Sequence, residues 1–198
     1  IQAIIYSNGT CDHIQDCILD AGGKIKYHIP LINAIVAEIP AKEIDHVASH
    51  HMIQFINNDA KVFKCMDNAS LAVAGHLVHD IGYTGEGVGI AVLDTGVYPH
   101  DDLVKPTNRI IAFKDFINNK AYPYDDDGHG THVSGIAAGN GYANPKYKGI
   151  APDANIIGVK VLDETGSGST SDILAGLQWV IDNKDKYNIK IVNMSLGS

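Results

Sequence analysis

Asp94 and His129 are the two residues whose settings most suggest chemistry. Asp94 closes the nearly continuous apolar run Val88 to Leu93 and is followed by Thr95 and Gly96. Such a run suits a strand covered on both faces, and in an open α/β sheet the functional crevice lies outside the carboxyl ends of the strands. A carboxylate there is a candidate for chemistry; an Asp before Thr-Gly also commonly just opens a turn. His129 stands between two glycines in Asp127-Gly128-His129-Gly130-Thr131-His132-Val133-Ser134-Gly135. Flanking glycines bring backbone close to another element and leave the imidazole reachable, and the small residues that follow suit a closely packed helix.

Metal chemistry fits these residues poorly. His129 and His132 stand three apart on a helix, whereas the zinc-peptidase motif spaces its histidines four apart with a glutamate between. One surface and one core histidine is the simpler expectation. Asp125-Asp126-Asp127-Gly128 resembles a calcium loop, yet EF-hand spacing fails at Pro123 and no later glutamate restores it, so a solvated acidic turn is expected. His50-His51 and His76 with His79 have no accompanying Cys or carboxylate pattern and are read as structural.

The elements that must position these residues fall into two halves. In the first, Ala3 to Tyr6 predicts a strand, and Asp12 to Asp20 a helix carrying Ile14, Cys17 and Ile18 on one face. Lys24 to Ile29 and Ile32 to Ile39 predict a hairpin-like pair with Lys26, His28, Asn33 and Glu38 solvated. Ala41 to Ala48 predicts a second helix after Pro40, and Met52 to Ile56 a further strand. The order β-α-β-β-α-β is the ferredoxin-like pattern, which hosts many functions. From about Gly82, buried strands over Val88 to Leu93, Ile156 to Leu162 and Ile189 to Leu196 alternate with helices. One of these helices is expected to be capped by Ser171, with Ile173, Leu174, Leu177, Val180 and Ile181 as its apolar stripe. This half predicts an α/β fold with a mostly parallel sheet and flanking helices. Residues 60–87 join the halves and include Asn68-Ala69-Ser70 and a helix-compatible stretch through Leu71, Val73, His76 and Leu77.

Composition removes whole classes of function. The 198 residues are 45% hydrophobic and 19% charged, enough to bury a core. Three cysteines form no complete disulfide framework and no CxxC pair, so free thiols are expected. A net charge of −8 supplies no basic footprint, which argues against nucleic acid as a partner. No apolar run approaches the roughly 18 to 20 residues that cross a bilayer, so no membrane partner is expected. The chain opens on Ile1, so its natural start is taken as processed, cut or left out, and targeting signals stay open.

Taken together and in order, five segments carry a family resemblance. Ala91-Val92-Leu93-Asp94-Thr95-Gly96, His129 to Gly135, Gly149-Ile150-Ala151-Pro152, Val159-Lys160-Val161-Leu162 and Asn193-Met194-Ser195-Leu196-Gly197 resemble a subtilisin-type serine protease. The resemblance covers everything from about Gly82 onward, and the Asp-to-His separation of 35 is close to the roughly 32 of the subtilisin order. Within the family, Tyr147 to Pro152 and Asp94 to His100 look most like a bacterial branch that includes the AprX-type proteases.

The resemblance implies that Asp94 is the buried acid and His129 the general base of an Asp-His-Ser triad. Serine needs an imidazole to take its proton, and the imidazole needs a carboxylate on its other nitrogen. Gly166-Ser167-Gly168 resembles one substrate-binding strand and Ser195-Leu196-Gly197 the strand opposite, with Thr170 and Ile173 shaping a more distant subsite. No cofactor is implied for catalysis. Structural calcium is common in the family and Asp102 lies near a position often used, but the loop from Gly139 to Lys148 differs from the family's calcium loop and no metal site is assigned.

This sequence also departs from the family pattern. The nucleophilic serine, expected about 125 residues or farther beyond His132, is absent, as is the oxyanion asparagine, and neither Ser195 nor Ser198 is a substitute. The chain alone is therefore expected to be inactive, with the C-terminal remainder of the catalytic domain as a partner. By the same resemblance, residues 1–66 are expected to be a ferredoxin-like propeptide that inhibits the enzyme, residues 67–81 a linker and first helix, and residues 82–198 the N-terminal part of the catalytic domain. The strand around Ala60 to Met66 should then run toward His129 and Gly166. Peptides or proteins are the implied substrates. A non-catalytic pseudoprotease that binds or regulates is the alternative, and intact Asp94 and His129 argue against it.

Overall fold

The computed structural model describes residues 1–64 and 75–197, which divide into two units. One joins Ile1–Lys61 with Ser169–Gln178, the other Val62–Gly168 with Trp179–Ser198. The division after Lys61 is earlier than the expected boundary at 66, and it groups part of a helix from the second half with the first.

The first unit runs β1 (Gln2–Ser7), α1 (Gln15–Asp20), β2 (Lys24–Ile29), β3 (Ala34–Glu38), α2 (Ile44–Ala48), β4 (Ile53–Asn58). Its strands form one antiparallel sheet in the order β2-β3-β1-β4. Ile14 and Ile18, one helical turn apart, pack with Ile5, Ile35, Ile39 and Val47 into the core. The expected strand from Ile32 starts at Ala34 instead, because Pro30–Ile32 form a tight turn closed by Asn33 at φ 51. That left-handed conformation is one Asn tolerates better than most residues.

The rest of the chain runs β5 (Lys61–Lys64), α3 (Gly75–Asp80), β6 (Gly89–Asp94), α4 (Asp101–Val104), β7 (Ile110–Asp115), α5 (His129–Ala138), β8 (Asn155–Lys160), β9 (Ser167–Ser169), α6 (Thr170–Asn183), whose first turns to Gln178 belong to the first unit, β10 (Ile189–Asn193) and β11 (Leu196–Gly197). A parallel sheet in the order β10-β6-β8-β7 with helices between its strands makes the second unit an α/β fold. Every residue of β6 is buried, as a strand with parallel neighbours on both sides requires. A second, three-stranded sheet has the order β11-β5-β9. Among the described residues no helix is long and apolar enough to cross a membrane.

Three expectations are corrected here. β10 was expected to be a buried strand, but it lies at the sheet edge with Ile191 and Val192 exposed at 50% and 43%. Ser171 is not the cap of α6: the helix begins at Thr170, and the acceptor for the Ser171 N–H is Asp59 Oδ1 at 2.7 Å, in the same unit. Ile181 is not part of the buried stripe, being 41% exposed, while Ala175 is buried. Cys65, Met66, Asn68-Ala69-Ser70, Leu71 and Val73 lie outside the described residues.

Candidate active site

β6 ends on Asp94 and α5 begins on His129, so the end of a buried strand and the start of a helix bring a carboxylate and an imidazole to one place. His129 Nδ1 lies 2.7 Å from Asp94 Oδ1, with Asp94 fully buried and His129 only 7% exposed. An ionised carboxylate only accepts, so Nδ1 carries the proton in this pair and Nε2 is left as the basic nitrogen. The Thr95 backbone N–H donates to the same Oδ1 at 2.7 Å, while Asp94 Oδ2 has no partner among the described residues. Burial pushes the Asp94 carboxyl above the ordinary range, and the hydrogen bonds from His129 and the Thr95 N–H offset only part of that rise.

The approach of α5 to β6 depends on glycine. A Cβ on Gly130 would run into the Gly96 carbonyl oxygen, with the Asp94 side chain next to it. Gly128 turns the chain into the helix at φ 100, a conformation with little steric cost for glycine alone. His132, one turn further on, is exposed.

Asp125 and Lys160, neither of them expected at the site, organise the surroundings. Asp125, expected in a solvated turn, instead accepts from five groups. Oδ1 takes Thr95 Oγ1 at 2.8 Å, the Gly128 N–H at 2.9 Å and the Asp127 N–H at 3.3 Å. Oδ2 takes the Thr131 N–H at 2.8 Å and its hydroxyl at 2.5 Å. Burial alone would raise this carboxyl, but the hydrogen bonds from Thr131, Gly128 and Thr95 outweigh it and hold it below the ordinary range.

Lys160, level with Asp94 across the sheet, is fully buried. Its Nζ donates to Thr95 O at 2.5 Å, Asp126 Oδ1 at 2.6 Å and Leu162 O at 2.8 Å, which uses all three of its protons. The available signal was a lysine inside the apolar run from Ile156 to Leu162, since a buried charge must be paired. Asp115 at the end of β7 is likewise saturated, by the N–H groups of Ile117, Asn118 and Lys120 and the Tyr124 hydroxyl. These bonds hold Asp115 below the ordinary range against the effect of burial, and Tyr124 is pushed up to about 12, by burial first.

The proposed substrate strands divide. Ser167 and Gly168 lie in β9, and Leu196 and Gly197 form β11, which pairs antiparallel with β5 through Leu196 with Lys64 and Gly197 with Phe63. β5 is thus the middle strand between the two. Gly166 is not in the strand; it turns the chain into β9 at φ 72, where the Asp163 carboxylate receives the Ser167 N–H at 3.0 Å. Ser195 precedes β11, with its hydroxyl 3.0 Å from Asn193 Nδ2.

Among the described residues no three His, Cys, Asp or Glu side chains gather as a metal set. Asp102 Oδ1 instead accepts the Ala143 N–H at 2.7 Å, holding the loop in which a calcium site was considered.

Comparison with known proteins gives the family. Residues 85–198 match the model of the subtilase family. Serine protease AprX of Bacillus subtilis (strain 168) is 42% identical over 187 residues, covering 88% of this chain and 40% of the relative. Subtilisin E of the same strain is 32% identical over 188 residues, covering 92% and 47%. A thermostable alkaline protease of Halalkalibacterium halodurans is 37% identical over 173 residues, covering 86% and 44%. The chain therefore spans less than half the length of these relatives. The match over residues 85–198, more than half of the sequence, places the chain in the subtilase family.

Proposed function

We propose that this chain carries the acid and base of a subtilisin-type serine endopeptidase, whose nucleophilic serine is supplied by sequence C-terminal to Ser198. The observation that carries this reading is the buried contact of 2.7 Å between His129 Nδ1 and Asp94 Oδ1. In the proposed reaction His129 Nε2 takes the proton of the serine hydroxyl as the oxygen attacks the peptide carbonyl carbon. Asp94 stabilises the imidazolium without itself being protonated. The imidazolium then gives its proton to the departing amine, which leaves an acyl-enzyme that water hydrolyses by the same base. Every group in this sequence is a side chain or water, so no cofactor enters it.

Peptides or proteins bind in this reading as an extended strand between Ser167-Gly168 and Leu196-Gly197. The position of β5 between β9 and β11 supports such a mode, because the chain's own backbone already lies there as a strand. Residues 1–66 are proposed to be the propeptide, with β5 as its inhibitory end. The β-α-β-β-α-β order and the β2-β3-β1-β4 sheet support a ferredoxin-like fold for it.

The test is the full-length protein from the encoding gene, assayed on casein and by fluorophosphonate labelling. His129→Ala should lower kcat by at least about 10⁴-fold, the scale of losing one member of a Ser-His-Asp set. Equal activity of wild type and variant would overturn the assignment of the base. Absence of turnover and labelling in the full-length wild type would favour a binding or regulatory role instead.

A further inference from the structure

Asp94 and His129 come from elements 35 residues apart, and a hydrogen-bonded pair this short must be held from outside. A closed ring of bonds does so. The Thr95 N–H holds Asp94 Oδ1, and the Thr95 hydroxyl donates to Asp125 Oδ1 while accepting the Gly130 N–H at 2.9 Å. Asp125 then closes on the first turn of α5 through Gly128 N and Thr131. The residues on either side of His129 are therefore tied to the residue after Asp94. A backbone bridge between Gly96 and Asp125, and the Tyr98 N–H on Thr131 Oγ1 at 2.8 Å, reinforce the same seam.

We propose that Asp125 is a positioning residue for the reaction: through Thr95 and the first turn of α5 it sets the His129 imidazole against Asp94. This rests on the reading of Asp94 and His129 as acid and base. Asp125 itself touches neither side chain of the pair. It is suited to the task because a carboxylate accepts on both oxygens, and all five of its bonds here are received. Asparagine at this position would present one oxygen and turn an NH₂ toward groups that are themselves donors. The first turn of α5 would then shift, and a misplacement of about 1 Å in a catalytic group costs on the order of 100-fold in rate.

The experiment uses the full-length enzyme as wild type, His129→Ala, Asp125→Asn, Thr95→Val and Thr95→Ser. Asp125→Asn is expected to lower kcat by about 10- to 100-fold with KM within about twofold, because the substrate strands are not part of the ring. It should also move or broaden the far-downfield proton resonance of the His129 Nδ1–H and shift the pH at which kcat/KM rises. Thr95→Val, which breaks the ring from the other side, should change kcat and the resonance in the same direction. Thr95→Ser, which keeps the hydroxyl, should restore both. If Asp125→Asn fails to fold, the contrast between Thr95→Val and Thr95→Ser carries the test. An inactive wild type sinks the functional reading and this proposal with it. An active wild type, dead His129→Ala and unchanged kcat and resonance in Asp125→Asn or Thr95→Val sink this proposal alone. So does a loss of activity that tracks only the folded fraction, with resonance and pH profile unmoved.

Discussion

Replacing Lys160 by methionine should destabilise the protein strongly, by an amount that can be built from its three bonds. The Nζ is fully buried, and removing it strips a donor from two carbonyl oxygens, Thr95 O and Leu162 O, and from Asp126. A buried polar group left unsatisfied costs about 1–3 kcal/mol, so the two carbonyls together cost about 2–6 kcal/mol. The Asp126 side chain is 33% exposed and regains water, which keeps its share small. Methionine fills much the same volume and returns part of the loss as apolar burial. A net cost of about 3 kcal/mol is expected. With a urea slope of about 2–3 kcal/mol per molar, the midpoint moves down by about 1–1.5 M. The measurement is urea unfolding of full-length protein in a His129→Ala background, which removes self-digestion. Asp126→Asn keeps an acceptor for Nζ and loses only a partly screened charge, so it should cost about 1 kcal/mol and nearly nothing once Lys160 is gone. A midpoint shift below about 0.3 M for Lys160→Met, about a quarter of the expected shift, would refute this account. So would an undiminished Asp126→Asn cost in the double variant.

Acid should unfold the second unit through Asp125 and Asp115, whose carboxyls are held below the ordinary range. A depressed folded pKa gives stability that is present above the unfolded value of about 3.9 and lost as pH falls through the lower folded value. Unfolding followed from pH 6 to 2 should therefore show a steep loss below about pH 4, blunted in Asp115→Asn; a variant with the wild-type slope would count against it. Gly130→Ala should lower stability by about 1–3 kcal/mol and depress kcat, since its Cβ must push α5 off the Gly96 carbonyl; unchanged thermal unfolding would contradict that contact. Residues 1–66 supplied in trans should inhibit the mature enzyme, and residues 1–60, without β5, about 10-fold or more weakly, taking about 1 kcal/mol for each lost backbone bond. Equal inhibition constants would remove β5 from the inhibitory role.

Local pattern exposed the parts of the site that local pattern determines. Asp94 was readable because a strand covered on both faces leaves an unbroken apolar run with a carboxylate at its end, and His129 because close helix packing demands the glycines around it. Asp125 was not, since three consecutive aspartates look alike in sequence and differ only in what folds against them; Thr95 and Thr131 select one. The start of α6 was misread for a related reason. Its acceptor is Asp59, 112 residues away, so Ser171 had no need to cap the helix itself. β7 went unforeseen because its apolar residues show no clean alternation, with Ile110 buried and the adjacent Ile111 40% exposed. The apolar character of β10 suggested burial that an edge strand does not have.

In the order β11-β5-β9 the two outer strands, among the described residues, are joined as a sheet through the middle one. Take β5 away and two unpaired backbone edges face each other across two strand spacings, about 9–10 Å. An α-helix with its side chains measures about 10–12 Å across and brings no free backbone donors or acceptors to either edge. A slot of that width sorts its occupants by conformation before any side chain is read. A helical or tightly folded segment must first unravel locally to enter, and proline, lacking an N–H, is disfavoured wherever an edge expects a donor. In the proposed reading of β5 as a removable inhibitory strand, such a slot would set the susceptibility of a target by how easily it opens rather than by its sequence, and would leave the two edges liable to capture any loose strand.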